Sequence, residues 1–286
     1  MKTERILRPP YLRLSDSVIL EGDALTVLTR LPDKSVQCIV TSPPYWGLRD
    51  YNIAEQIGLE PTLPMFVNRL VGVFAEAKRV LSDDGVFWFN IGDGYTSGNR
   101  GWRAPDKKNR ARAMSIRPDT PAGLKPKDLQ GIPWRMAFAL QDDGWYLRAD
   151  IVWSKPNAMP ESVKDRPTRS HEYLFMFTKS ERYYYDRLSI LESNGRNRRS
   201  VWNINTQGFP GAHFATFPVK LIEPCVASST RPGDFVLDPF FGSGTVGVAC
   251  QSQNRKYIGI ELNPDYVELA ADRLGANEDS VIKLVA

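Results

Sequence analysis

Apolar positions along this chain recur with two alternating periods, which predicts strands and helices in succession. VILEG (18–22) and VQCIVT (36–41) are short, continuous and rich in β-branched residues, as buried strands are, with a helical turn around Ala24–Leu31 between them. From 61 to 81, Phe66, Leu70, Val73, Phe74, Ala77 and Leu81 fall at helical spacing, giving a helix with one apolar face. GVFWFNI (85–91) predicts the next strand, and IPWRMAFAL (132–140) a helix stopped by the Asp-Asp-Gly at 142–144. WYLRADIVW (145–153) and EYLFMFT (172–178) are β-rich, and a polar stretch with Gly and Asn follows at 192–208. LIEPCVA (221–227) predicts a helix, DFVLDPF (234–240) a strand, TVGVACQ (245–251) a helix and KYIGIEL (256–262) a strand. NPDYVELAADRL (263–274) closes the series as an amphipathic helix capped by Asn263, with Pro264 in its first turn. No internal repeat is present. Such alternation predicts an α/β fold: a mixed, mostly parallel sheet with helices on both faces. The expected organisation is a single domain over 1–286 with two surface insertions, at 94–130 and 187–212.

A length of 286 residues, 42% hydrophobic and 24% charged, is ample for a buried core and excludes a disordered chain. No apolar run approaches the roughly 18 residues of a membrane span, and the N-terminus lacks the apolar segment of a secretion signal. A cytoplasmic location is expected. The three cysteines stand far apart and the histidines number two, so neither a disulfide scaffold nor a metal centre is expected. The net charge of +4 conceals an asymmetry. Residues 94–130 hold nine Lys or Arg against three acids, so the remainder of the chain is slightly acidic. A basic Gly/Pro-rich insertion on an acidic body suits a polyanion, most simply nucleic acid. Arg100, Arg103, Lys107, Lys108, Arg110 and Arg112 are its densest cations, and Arg196, Arg198 and Arg199 form a second candidate group in the other insertion.

Two motifs carry candidate chemistry. FVLDPFFGSGTVG sets Gly242, Gly244 and Gly247 between a strand and a helix, and Glu261 ends the following strand 17 residues after Gly244. A dinucleotide site uses such glycines to approach a diphosphate. Here Asp238, Pro239, Phe240 and Phe241 stand at the loop mouth instead, which repels a diphosphate and suits a cationic cofactor without phosphates. S-adenosylmethionine has that character: its ammonium can bond Asp238 and its ribose diol Glu261. The second motif is TSPPYWG (41–47), directly after VQCIV. Pro43 and Pro44 cannot extend a strand and turn the chain outward at the strand's carboxyl end, where open α/β sheets bind ligands. Methylating an exocyclic base amine needs acceptors for both N–H groups, because the nitrogen lone pair is delocalised into the ring. Ser42 Oγ and the Pro43 carbonyl can be those acceptors, while Tyr45 offers a stacking face.

TSPPYW followed by DPFFGSGT resembles the DNA amino-methyltransferases of restriction–modification systems, in the β arrangement that puts the catalytic motif before the cofactor motif. The resemblance extends over nearly the whole chain, including GDALTVLTRLPDKSVQCIVTSPPYW, GIPWRMAFALQDDGWYLRADIVWSKPN and SVKDRPTRSHEYLFMFTKS. It implies a circularly permuted Rossmann-like fold, with the C-terminal strands DFVLD and KYIGIE joined beside the N-terminal ones. It further implies that Ser42, Pro43, Pro44 and Tyr45 are catalytic. Asp238, Pro239, Phe240, Gly242, Ser243, Gly244, Thr245 and Glu261 would bind S-adenosyl-L-methionine, Thr216, Phe217 and Pro218 would line its methionine end, and Asp23 would meet its adenine side. Relatives beginning SPPY often act on cytosine N4, and those with DPPY or NPPY on adenine N6. The expected activity is therefore methylation of cytosine N4 in double-stranded DNA, with adenine N6 as the alternative, alongside a companion restriction endonuclease and a homodimeric state as candidate partnerships. A nicotinamide oxidoreductase would account for the glycines and Glu261 but not for TSPPYW. A non-catalytic DNA-binding module would account only for the basic insertion. Cys225, after Pro224, falls on the apolar side of a helix and reads as a core thiol rather than a nucleophile. His171 and His213 have no Ser or Cys motif with which to form a triad.

Overall fold

The computed structural model of the chain describes residues 16–48, 53, 56–96, 120, 124–207, 217–276 and 280–283. Arg100, Arg103, Lys107, Lys108, Arg110, Arg112 and Thr216 lie outside the described residues. Among the described residues the chain runs β1 (Val18–Glu21), α1 (Ala24–Leu28), β2 (Val36–Thr41), α2 (Leu63–Val80), β3 (Leu81–Ile91) and α3 (Ile132–Asp142). It continues with β4 (Tyr146–Ser154), β5 (His171–Thr178), β6 (Val201–Asn203), α4 (Val219–Ser229), β7 (Phe235–Asp238), α5 (Thr245–Gln251), β8 (Lys256–Glu261), α6 (Pro264–Leu274) and β9 (Val281–Lys283).

All the described strands join one sheet in the order β6-β4-β5-β3-β2-β7-β8-β1-β9. Every neighbouring pair is parallel except β3–β5 and β4–β5, so among them β5 alone runs against the rest. The permuted arrangement is realised directly: β7 pairs with β2 and β8 with β1, which places the late strands between the early ones. The period-two alternation of side chains sorts each strand between two cores. Phe87, Phe89, Phe175 and Phe177 face α1, α2 and α3, with Phe74 of α2 wedged between Phe87 and Phe89 at centroid distances of 4.9 and 5.4 Å. Val86, Trp88, Leu174 and Met176 face the other way, toward α4, α5 and α6.

Local signals account for the element ends. Thr62 caps α2 by accepting from the Met65 N–H, and Asn263 caps α6 by accepting from the Asp265 N–H, with Pro264 in the first turn as read from sequence. Three readings are corrected. The strand read from residue 85 begins at Leu81, directly after α2; the polar stretch 192–208 contains β6; and β9 is an additional edge strand. Cys225 is buried in α4, and burial pushes its thiol far above the usual range, as a core thiol requires. The described ends of the 94–130 insertion form a short stem: Tyr95 bridges Leu129, and the Thr96 N–H donates to the Asp128 carbonyl.

Candidate active site

β1, β2, β7 and β8 run in the same direction, so their carboxyl ends open on one edge of the sheet. A pocket occupies that edge. Its wall includes Asp23 after β1, Ser42, Pro43, Pro44 and Tyr45 after β2, Asp238 through Ser243 after β7, and Glu261 at the end of β8. Two motifs separated by nearly two hundred residues thus share one cavity. Thr245 and Phe217 also border it, whereas Gly244 and Pro218 do not. Gly244 serves the loop's shape: its φ of +75° is left-handed, and a Cβ there would lie 3.0 Å from Leu274 Cδ1.

The acids of the pocket are held by backbone and hydroxyl donors. Asp238 is 2% exposed; its Oδ1 accepts from Thr41 Oγ1 at 2.6 Å and from the Phe240 N–H at 3.0 Å. Burial, with the nearby Glu261 charge adding to it, pushes the Asp238 carboxyl up to about 7, although its two donors oppose the rise. Glu261 accepts the Gly242 N–H on one oxygen at 2.7 Å and the Asn263 N–H on the other at 2.8 Å. Burial raises its pKa too. Asp23 accepts from the Thr26 N–H and hydroxyl through Oδ1, capping α1. Asp23, Asp238 and Glu261 are the charged side chains of the pocket wall; no Lys or Arg is among its described residues. Acids with no facing cation disfavour a diphosphate and favour a cationic ligand.

The phenol of Tyr45 is not free. Its hydroxyl donates to Glu172 Oε2 at 2.9 Å, and Glu172 Oε1 is held by Lys155 Nζ. Sequence reading did not single out Thr41, Glu172 or Lys155. Thr41 stood in the quoted motif, but its link to Asp238 crosses the β2–β7 pair that only the permuted sheet creates. Arg273 was also missed; it props the loop by donating to the Ser243 carbonyl and hydroxyl and to Thr245 Oγ1.

The second basic group lies elsewhere. Arg196, Arg198 and Arg199 precede β6, which runs parallel to β4, so they sit back along the flank of the sheet rather than at the pocket edge. Arg199 pairs with Glu192 at 3.1 Å, and the Arg198 guanidinium lies 4.3 Å from the Trp202 ring centroid. The stem of the other insertion leaves from the carboxyl end of β3, on the same edge as the pocket. Arg166 stacks on Tyr95 at 3.8 Å and Lys127 pairs with Asp165 at 2.9 Å, fastening the stem to the 155–170 loop.

A permuted sheet with an acidic, glycine-looped pocket at its carboxyl edge is the architecture of a group-transfer enzyme, and solved structures agree. A DNA modification methylase from Thermus thermophilus, solved with S-adenosyl-L-methionine, is similar with a TM-score of 0.65 at 25% identity, covering 93% of this chain and 99% of that one. PvuII DNA methyltransferase (cytosine-N4-specific) is similar with a TM-score of 0.70 at 24% identity, covering 93% and 89%. The DNA methylase family pattern matches residues 36–272, and the chain belongs to this family of DNA amino-methyltransferases. It is 72% identical to the type II methyltransferase M.XycI of Xanthomonas campestris pv. cyanopsidis, over 99% of this chain and 96% of that protein. It is 68% identical to M.Cfr9I of Citrobacter freundii, over 100% and 97%.

Proposed function

We propose that this enzyme transfers a methyl group from S-adenosylmethionine to the exocyclic N4 amine of cytosine in double-stranded DNA, as the modification activity of a restriction–modification system. The observation that carries the reading is the single pocket shared by the Ser42–Tyr45 turn and the acids Asp23, Asp238 and Glu261. Three carboxylates suit a cationic ligand without phosphates, which also argues against a nicotinamide dinucleotide. When bound, the cofactor supplies a methyl carbon made electrophilic by its sulfonium.

In this reading Asp238 binds the ammonium, Glu261 the ribose hydroxyls, and Asp23 the adenine side through the oxygen not spent on Thr26. Phe217, Pro239, Phe240, Gly242, Ser243 and Thr245 complete the walls, and Thr216 and Pro218 contribute at the methionine end. Ser42 Oγ and the Pro43 carbonyl accept the two N–H groups of the target amine, which makes its nitrogen more tetrahedral and its lone pair available. The proton that nitrogen loses leaves along one of these hydrogen bonds to solvent, because neither a hydroxyl nor a peptide carbonyl retains it. Pro44 keeps the turn outward, and the Tyr45 ring stacks on the base. A stacked duplex hides both the amine and the ring, so the base must be flipped out at a cost of a few kcal/mol. Contacts from the 94–130 insertion offset that cost.

Mass spectrometry of digested DNA after incubation with enzyme and cofactor tests the reading. N4-methylcytosine is the expected product; N6-methyladenine alone would move the assignment to the other amine, and 5-methylcytosine would overturn the mechanism. Tyr45→Ala should retain cofactor affinity in calorimetry while turnover collapses, since its ring serves the base and not the cofactor.

A further inference from the structure

We propose that Glu172 is a positioning residue for base-amine methylation, fixing the plane of the Tyr45 ring from outside the pocket; the proposal rests on Tyr45 being the stacking face for the target base. Glu172 lies near the start of β5 and does not line the pocket. Its two oxygens divide between two partners: Oε2 accepts the Tyr45 hydroxyl at 2.9 Å, and Oε1 is held by Lys155 Nζ. The Glu172 and Lys155 side chains are only 17% and 16% exposed, so the pair works with little solvent screening.

Lys155 is itself anchored. Its ammonium lies 4.2 Å from the Trp153 ring centroid, and its backbone N–H donates to the Ser170 carbonyl at 2.8 Å. The triad therefore joins the turn after β2 to the carboxyl end of β4 and the amino end of β5, across β3. The strand between them is cleared for the contact. At Gly92, just beyond β3, a Cβ would stand 2.8 Å from Tyr45 Cε2 and 3.2 Å from Glu172 Oε1. Any side chain there would push ring and carboxylate apart. Burial and the Glu172 charge together raise the Tyr45 phenol well above its usual pKa, so it remains an O–H donor to the carboxylate at neutral pH.

A ring with a free hydroxyl can rock about its χ torsions. One tied to a part-buried carboxylate is held at a fixed tilt before the base arrives, which is the preorganisation that stacking against a flipped base requires. Glu172 touches neither cofactor nor base in this scheme and acts only through Tyr45. Its two partners give it separate roles: Lys155 holds it stationary, and the phenol reads its position.

The test is a double-mutant cycle on single-turnover methylation of a duplex oligonucleotide, with cofactor affinity measured in parallel by calorimetry. Tyr45→Phe keeps the ring and removes only the hydroxyl; Glu172→Met keeps the bulk and removes the acceptor. Each should slow methyl transfer by about tenfold or more, the worth of a hydrogen bond to a charged group. Cofactor affinity should be unchanged. The double variant should be no slower than Tyr45→Phe alone, because Glu172 acts only through that hydroxyl, which also meets Ser42. Glu172→Gln, which keeps an acceptor oxygen, should recover part of the rate. Losses that multiply in the double variant, or wild-type transfer by Glu172→Met, would overturn the proposal. Should Glu172→Met fail to fold, Tyr45→Phe decides: a wild-type rate from it has the same meaning. Failure of the functional reading is separately visible, as wild-type enzyme that methylates no base amine.

Discussion

Asp238 shows how one residue can couple the pocket to pH. Burial, with the Glu261 charge adding and the Thr41 and Phe240 donors opposing, pushes its carboxyl up to about 7, so the ligand-free enzyme holds it largely protonated in mild acid. An ammonium ligand needs the carboxylate. Cofactor affinity should therefore fall about tenfold for each pH unit below 7 and level off above it, as calorimetry between pH 5.5 and 8.5 would show. Stability runs the opposite way. Between the ordinary carboxylate pKa and about 7 the folded state binds this proton and the unfolded state does not, so Asp238 lowers the stability of the free protein as pH rises through that window. Asp238→Asn should flatten the affinity profile at a low plateau, yet raise the melting temperature of the ligand-free protein at pH 8. An affinity that is pH-independent in the native enzyme would place the ammonium elsewhere.

The elements that aim these residues are held by ordinary caps and packing. Asn263 has two separable roles: its side chain caps α6, while its backbone N–H donates to Glu261. Asn263→Ala should thus cost about 1 kcal/mol of stability by denaturant titration, while the backbone donor to Glu261 survives. Phe74, fully buried between Phe87 and Phe89, also meets Phe240 of the pocket loop edge-on at 6.3 Å. Phe74→Ala should cost about 3–5 kcal/mol and loosen that loop, weakening cofactor binding as well. The long apolar runs were legible for plain reasons: VQCIVT and KYIGIE are buried on both faces, and α2 repeats its apolar positions over five turns. β6 was not, because three residues (Val201, Trp202, Asn203) inside a polar stretch carry no period to detect. Both halves of the site were legible too, since proline pairs and glycine loops have strong backbone requirements. The Tyr45–Glu172 tie was invisible because it joins residues 127 apart, and a glutamate inside EYLFMFT reads only as a polar position on a strand.

At the scale of the whole molecule, charge and fold lead to different expectations for the two insertions. The described stem of the 94–130 insertion leaves from the pocket edge and the segment's sequence holds the excess of cations, whereas Arg196, Arg198 and Arg199 flank the sheet behind it. Neutralising Lys107, Lys108, Arg110 and Arg112 together should weaken DNA binding and lower its salt-dependence slope by about 0.9 for each phosphate no longer neutralised, with cofactor affinity intact. Neutralising the three flank arginines should change that slope far less; filter binding across a salt series would compare them, and the reverse ranking would give the flank the DNA contact. The strand order has another consequence, for synthesis. β7 and β8 leave the ribosome after β1 and β2 yet insert between them, so the nascent chain carries two parallel strands with open, apolar edges until nearly the whole sequence has emerged. Closure must wait for contacts that span most of the chain, which makes folding slow and leaves those edges available to other chains in the interval. A chain truncated before residue 235 would keep the Ser42–Tyr45 turn but never gain the strand that zips the sheet shut, and aggregation rather than a partly active fragment is the expected product.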